Sequence, residues 1–585
     1  MLGYSLRRLL ATLPTLLIVA LSVFVLIRLV PGDPVLVMLG DAADPTQVRA
    51  LRESMGLEKP MLVQFGLWLE RALSGDLGSS ITNGAPVLPL ILDRFSLTAM
   101  IVVTAVALAT AIAVPLGMIA AWKQDSLSDI GVVGFATLLL SIPSFWLGLL
   151  LLLVFGVWLK WLPVVGYVSL GENPWQALQF VVLPIATLTL IEIGALTRMA
   201  RASTIDVLRL DYIAHARAKG LSEFAVLGRH ALPNAFAPTL TLIGIILGNL
   251  LGGIAVIETV FTLPGLGRLL VDAIFARDYP VVQGVMLFVA VIYVTMNLLV
   301  DLAYPLFDPR VTLEQRHVLR LNRTLGAGLM LFVGLMAAIA AVWTPYPATG
   351  INLRARLSPP GNAYWLGTDE FGRDVLSRLM EGAHTSVTVA LVTVCVAVAI
   401  GIVIGLAGGF FRGWTDRILM SLNDALLAFP GILLALGLLA VIGPSKWGIV
   451  LALGIAYAPT VARIVRGSVL SIREKEFVEA SRALGNTEGY TLLRHVLPHT
   501  VSPLTVVATS MFGWVVLSES ALSFLGLGVP PPAPSWGNML SAARPFLETA
   551  PHLSIAPGIM IAVCLLGANL LGDALRDHLD PRSAA

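Results

Sequence analysis

The chain has 585 residues, of which 57% are apolar and only 13% charged, and its formal net charge is +2. A soluble chain carries about 25% charged residues, and at a mean hydropathy of +0.86 there is too little polar surface here to cover a water-soluble globule. Disorder, collagen and coiled coil are excluded, the near-neutral charge gives no bulk attraction for nucleic acid, and the long apolar runs point to a helical multi-span membrane protein rather than a barrel.

Candidate spans in the first half fall near 9–30, 96–121, 132–159, 178–197, 236–257 and 281–303. In the second half they fall near 324–343, 386–411, 418–442, 446–462, 502–522 and 553–572. The first run follows Arg7 and Arg8 and ends in Arg28-Leu-Val-Pro-Gly-Asp33 without a small-x-small cleavage site. It is expected to be a retained span rather than a signal peptide. Each set of six has the same rhythm: one span, a long polar loop, three spans, a charged loop, two spans. Cys395 and Cys564 lie in apolar runs with no metal-ligand spacing and read as small buried hydrophobes.

The Lys/Arg bias sets the expected orientation. One charged loop carries Arg198, Arg201, Arg209, Arg217, Lys219 and Arg229. The other carries Arg463, Arg466, Arg473, Lys475, Arg482 and Arg494. Both are expected on the cytoplasmic side, with both termini and the connector near 304–323. The acid-rich loop 31–95 is then outside.

The two charged loops align without a gap at a shift of 265 residues. Arg201, Arg217, Gly220, Glu223, Arg229, His230 and Pro233 fall on Arg466, Arg482, Gly485, Glu488, Arg494, His495 and Pro498. A topology rule accounts for the matched arginines but not for matched Gly, His and Pro. A shared interaction accounts for all of them. Tyr212–Ala218 and Phe477–Ala483 have helical periodicity, and Gly220 and Gly485 suit helix-ending positions at positive φ. A short helix presenting aromatic and small residues can insert into a groove of a partner on that side.

At these residues the sequence resembles the permeases of ATP-binding-cassette (ABC) importers. Glu479-Ala-Ser-Arg-Ala-Leu-Gly485 followed by His495-Val-Leu-Pro498 looks like their EAA loop. The first loop keeps Gly220 and His230-Ala-Leu-Pro233, with Ala214-His215-Ala216 in place of Glu-Ala-Ala. The resemblance is closest to the dipeptide/oligopeptide/nickel import family and covers nearly the whole chain. The first half matches one permease subunit through Val30-Pro-Gly-Asp-Pro34, Gly75-Asp-Leu-Gly78, Ser141-Ile-Pro-Ser-Phe-Trp146 and Glu258-Thr-Val-Phe-Thr-Leu-Pro-Gly-Leu-Gly267. The second half matches the other through Leu366-Gly-Thr-Asp-Glu-Phe-Gly-Arg-Asp374 and Ser518-Glu-Ser-Ala-Leu-Ser-Phe-Leu-Gly-Leu-Gly528. The expected domains are residues 1–311 with a core near 95–303, and 312–585 with a core near 384–575.

The resemblance implies an all-α integral membrane protein of about 12 helices, built as two homologous six-helix type I importer halves fused in one chain. It implies a bacterial inner-membrane location, contact with membrane lipid, and no nucleic-acid partner. Partners would be two cytoplasmic ABC subunits, or one fused ATPase, and an extracytoplasmic solute-binding protein. No cofactor is expected in this chain, with ATP and Mg held by the ATPases. ATPase-coupling positions would be Tyr212, Ala214, His215, Ala216, Arg217 and Gly220, with Phe477, Glu479, Ala480, Ser481, Arg482 and Gly485. Binding-protein or outer-gate positions would be Asp369, Arg373, Asp374, Glu258 and Glu519.

None of the six lysines precedes Ser or Thr, so a G-x-x-x-x-G-K-[ST] phosphate loop is absent and energy must come from a partner or a gradient. No H-E-x-x-H or G-x-S-x-G occurs. Two six-helix halves also fit a secondary transporter, which would need charge pairs at span centres. Such pairs are scarce. Glu192 is expected near the inner end of the fourth span, where it either serves function or pairs locally. Glu258 and Glu519, at matching outer ends of the fifth spans, order a loop or serve a gate. Most of the 53 glycines read as helix-packing positions.

Overall fold

The computed structural model describes residues 2–28, 44, 46, 49, 52, 58–169, 171–307 and 320–579. The motif Val30–Pro34, the boundary at 311 and most of the connector lie outside the described residues. The first half contains α1 (Leu2–Arg28), α2 (Met61–Leu73), α3 (Val87–Trp122), α4 (Leu127–Ser141), α5 (Ser144–Leu151), α6 (Pro174–Leu208), α7 (Asp211–Ala218), α8 (Leu232–Val260), α9 (Leu266–Phe275) and α10 (Tyr279–Phe307). The second contains α11 (Arg320–Ala340), α12 (Val375–Phe411), α13 (Gly413–Leu427), α14 (Gly431–Ile442), α15 (Lys446–Arg473), α16 (Glu476–Ala483), α17 (Val501–Phe524), α18 (Trp536–Ala543) and α19 (His552–Leu579).

Eight helices are long and apolar enough to cross a membrane. Two bent pairs pass the same test together, and the apolar stretches Thr12–Leu26 and Thr324–Ala340 complete twelve among the described residues, six in each half. Helices satisfy every backbone polar group internally, which hydrocarbon demands.

Two expectations need correction. The runs 132–159 and 418–442 are not continuous spans. The first breaks between α4 and α5 with a bend of 97°, and the second between α13 and α14 with a bend of 94°. Pro143 and Pro430 stand immediately before α5 and α14. Proline lacks the N–H that would continue the ladder and pushes its predecessor out of the helical region. Ile142 accordingly has φ −91° and ψ 123°. A hydropathy window registers apolarity but not this geometry.

The bends carry each half into the other. Phe145 of α5 stacks on Phe524 of α17 with centroids 5.3 Å apart, and Trp146 lies against Gly558 of α19. Reciprocally, Gly437 of α14 faces Met286 of α10, and α13 and α14 also touch α1. The main core is an apolar cluster that runs through both halves, and a second, smaller one of Met118, Val207, Ile213, Ala216, Val226 and Leu227 lies beneath α7.

Within the second half, α12 and α15 approach through glycine. A Cβ on Gly401, Gly405 or Gly409 would come within 2.4, 2.6 or 2.9 Å of Val461, Val465 or Val469. Spacing of four puts each set on one helix face. Gly117 of α3 plays the same part against Thr197 and Ala200 of α6. Gly405→Ala should therefore cost about 1–3 kcal/mol through overpacking. Gly134→Ala, where an added Cβ meets nothing within 4 Å, should be neutral or gain about 0.5–1 kcal/mol from helix propensity. Thermal unfolding of the purified protein compares the two; equal melting shifts would contradict the glycine packing.

Candidate functional site

α7 and α16 are short helices beyond the spans, eight residues each, following α6 and α15. Gly220 and Gly485 end their turns at φ +79° and +82°, a region costly to residues with a Cβ. An added Cβ would meet nothing within 4 Å at either position, so the need is conformational. Ser222 and Thr487 then cap the next helical turn, accepting from the N–H groups of Ala225 and Tyr490.

Each loop is closed by its own ion pair. Arg217 donates to Glu223 at 2.9 and 3.1 Å, and Arg482 donates to Glu488 at 3.1 Å. These side chains are 30–55% exposed, so each pair is worth about 0.2–1 kcal/mol and acts mainly on geometry. The sequence alignment matched all four residues without pairing them, because six residues across a helix break is not a helical pairing interval.

Ile213, Ala216, Val478 and Ser481 are buried. Ala216 and Ser481 thus lie beneath their helices, where the Ser481 hydroxyl contacts Thr491 at 2.9 Å and accepts from Asn486 at 3.1 Å. Tyr212, Ala214, His215 and Arg217 are exposed on α7, and Phe477, Glu479 and Ala480 on α16. Just past α16, Leu484 is 82% exposed. The Tyr212 hydroxyl accepts from Asn234 at 2.8 Å, and the Phe477 ring lies 5.0 Å from that of His499. Arg482 also sits over the Phe410 ring at 5.3 Å.

Arg201 and Arg466, read from the sequence as topology signals, have a second task. Each makes a two-pronged ion pair at 2.6 Å, with Asp129 and Asp416 respectively. Those acids occupy the first turns of α4 and α13. The pairs tie the helix that carries each loop to the bent pair of the same half.

Two further clusters occupy the opposite end. Glu258 and Glu519 are fully buried. Glu258 accepts from the Thr98 hydroxyl at 2.6 Å and the Arg268 N–H at 2.9 Å, while Thr98 accepts from the Leu266 N–H. These bonds satisfy the first turn of α9. A Cβ on Gly265 would lie 2.0 Å from the carboxylate, so glycine is required there. Glu519 accepts from Ser523 at 2.7 Å, and Ser386 takes the place of Thr98, accepting from the N–H that opens α18. This is the geometry of loop ordering.

Asp369, Arg373 and Asp374 are also buried, at 6%, 8% and 3% exposure. Asp369 accepts from the Phe371 and Arg373 N–H groups and pairs with Arg373 at 2.7 Å and Arg378 at 3.3 Å. Asp374 caps α12 through Ser377. Their polar atoms serve the loop itself. Sequence reasoning missed Asp278, which holds the turn before α3 through the hydroxyls of Ser80 and Thr82 and the Ile81 N–H. A lone Asp 198 residues from its partner leaves no local signal. Among the described residues no group of three or more His, Cys, Asp or Glu is placed to hold a metal.

These features define a class: a helical membrane permease of two homologous halves, each with an exposed short helix beyond its spans. The family profile described as binding-protein-dependent transport system inner membrane component matches residues 113–313 and again 397–584, and the profile of its N-terminal region matches residues 1–102. The chain belongs to this family and carries its domain twice. A Brucella suis protein assigned as permease of a peptide transport system is 44% identical over 306 residues, 52% of this chain and 98% of the relative. A dipeptide transport system permease of Alkalihalophilus pseudofirmus is 38% identical over 331 residues, 53% of this chain and 99% of the relative. Another Brucella permease protein, from B. abortus, is 41% identical over 276 residues, 46% of this chain and 92% of the relative. Each relative is about half as long as this chain, as fusion of two permease subunits requires. The chain is thus a multi-pass transport component of an inner membrane and not itself an enzyme, and the ion-coupled transporter reading is not favoured.

Burial alone would raise the pKa of Asp278, but hydrogen bonds from Ser80, Thr82 and the Ile81 and Thr82 N–H groups outweigh it and hold the carboxyl below its usual range. A depressed folded-state pKa gives stability that is present above the unfolded value of about 3.9 and lost as pH falls through the folded value. Asp278→Asn should remove this contribution: the mutant should melt lower near neutral pH and approach wild type in acid. A difference in melting temperature that stays constant with pH would contradict the assignment.

Proposed function

We propose that the chain forms the membrane passage of an ATP-driven importer of di- or oligopeptides. Two ATP-binding-cassette subunits, or one fused ATPase, seat on α7 and α16 from the cytoplasm and hold the ATP and Mg. A solute-binding protein delivers cargo at the opposite face, and both termini are cytoplasmic. The two halves meet in the connector near residue 311. The observation that carries the reading is the pair of eight-residue helices, alike in turn, cap and ion pair, at a shift of 265 residues. Peptide as cargo rests on the relatives named for peptide and dipeptide transport.

In this reading Tyr212, Ala214, His215, Phe477, Glu479 and Ala480 form the contact faces. Arg217, Gly220, Arg482 and Gly485 fix the loop shape, and Ala216 and Ser481 support it from beneath. Asp369, Arg373 and Asp374 keep the shape of the outer loop that the binding protein meets, and Glu258 and Glu519 hold the outer helices α9 and α18 in place. Closure of the ATPase pair pushes both short helices and rocks one half against the other.

Arg482→Glu places two acids together and should lower binding-protein-stimulated ATP hydrolysis about five- to tenfold. The swapped double variant Arg482→Glu/Glu488→Arg should recover most of it, as the coupling of a contacting pair requires. Hydrolysis and uptake that survive the single change would refute the loop's role. A thermal-shift screen of the binding protein with dipeptides, nickel chelates and oligosaccharides tests the cargo, and stabilisation by a non-peptide alone would refute the peptide reading.

A further inference from the structure

Glu192 is a half-buried carboxylate within the apolar stretch of α6. α6 runs from Pro174 to Leu208, about 52 Å at 1.5 Å per residue, longer than a hydrocarbon core of about 30 Å. Glu192 lies within its apolar part, six residues or about 9 Å from Arg198, on the side of the charged loop. It stands nine residues, or about 13 Å, above the Arg201–Asp129 pair that marks the charged-loop end. Among the described residues it has no hydrogen bond or ion pair. An ionisable group at such a depth needs a partner or a function.

Its direction follows from its neighbours. A Cβ on Gly194 would meet the Ala136 carbonyl of α4 at 2.7 Å. Two residues back along a helix is about 200° round the axis, so Glu192 points away from α4. Thr189 donates to the Ala105 carbonyl of α3, which takes up the next face. The stripe that holds Glu192 is buried above it, at Val181, Pro184 and Leu188. From Glu192 downward it is half-open, at Ala195 and Met199. Glu192 sits where that face passes from closed to open towards the charged-loop end.

The other half repeats the position with a different chemistry. At the shift of 265 Glu192 falls on Tyr457, and Gly194 falls on Pro459, whose carbonyl accepts from Asn423 of α13. Tyr457 faces Gly431, the first residue beyond the bend, and its hydroxyl meets that of Ser518 in α17 at 2.7 Å. Ile449 and Leu453 above it are buried, while Thr460 and Ile464 below it are half-open. The two halves thus present one acid and one phenol at corresponding positions of α6 and α15, the phenol beside the bend of its own half.

We propose that Glu192 is the point at which the passage meets a cationic group of the cargo, an ammonium or guanidinium, and so favours solutes that carry one. This rests on the peptide reading above. A solute amine supplies the counter-charge that the protein withholds at this depth, and its charge-assisted bond is stronger than a neutral one. Tyr457 offers only a hydroxyl, so the selection is one-sided.

The test uses the complete importer, with its ATPases and binding protein, in proteoliposomes. Initial uptake of lysyl-alanine and glutamyl-alanine is compared after correction for their affinities for the binding protein. Glu192→Gln should lower lysyl-alanine uptake about tenfold and leave glutamyl-alanine within about twofold, while Glu192→Asp should restore most of the loss. Both dipeptides falling together, or neither, overturns the proposal. A second readout does not depend on uptake. Carbodiimide modification of Glu192 in the wild-type importer, followed by mass spectrometry, should be suppressed by lysyl-alanine or putrescine and not by glutamyl-alanine. Equal modification with and without amine overturns the proposal. Wild-type importer that takes up neither dipeptide refutes the peptide reading, and putrescine protection still decides the role of Glu192.

Discussion

Pro143 and Pro430 lack the N–H that would carry a helix past them, and the chain turns by 97° and 94° at these points. Before the bends, α4 already packs on α19 and α13 on α1. Beyond them, α5 packs on α17 and α19, and α14 packs on α8 and α10. The interlock is made of aromatic stacking and glycine contacts rather than charge: Phe145 on Phe524, Trp146 on Gly558, Met286 on Gly437. That choice suits a setting where burial from water no longer drives association and close packing must. It also places Tyr457 beside the bend of its own half, against Gly431.

Charge was displaced to the ends and used there twice over. At one end Arg201 and Arg466 tie the loop-bearing helices to the bent pairs, while Arg217 and Arg482 close the loops. At the other, Glu258, Glu519, Asp369 and Asp374 are spent on helix starts and turns. Buried and already bonded, these side chains act by holding the backbone around them in shape.

The twofold plan, the twelve spans and the two short helices were legible in the sequence. The Gly, Arg, Glu, His and Pro of the loops recur at one shift, and apolar runs declare their own length. The bends were not legible, because a hydropathy window cannot distinguish a straight helix from two helices joined at a proline. The ion pairs were not legible either. Arg201 and Asp129 are 72 residues apart, and nothing local marks them as partners. Glu192 was visible as an intramembrane acid, but that no partner meets it became clear only from the packing of α6 among the described residues. The loops also differ in a way that pattern matching understates: Ser481, Thr491 and Asn486 build a polar support under α16, where Ala216 leaves α7 with an apolar one.

The glycine contacts between α12 and α15 bear on how motion could travel. Gly401, Gly405 and Gly409 against Val461, Val465 and Val469 leave no room for the two helices to slide independently. The pair packs backbone to side chain along three successive turns. α16 hangs from one end of it, and the Asp369–Asp374 turn sits at the far end, where α12 begins. The short helix and the outer turn are thereby anchored to opposite ends of one closely packed helix pair.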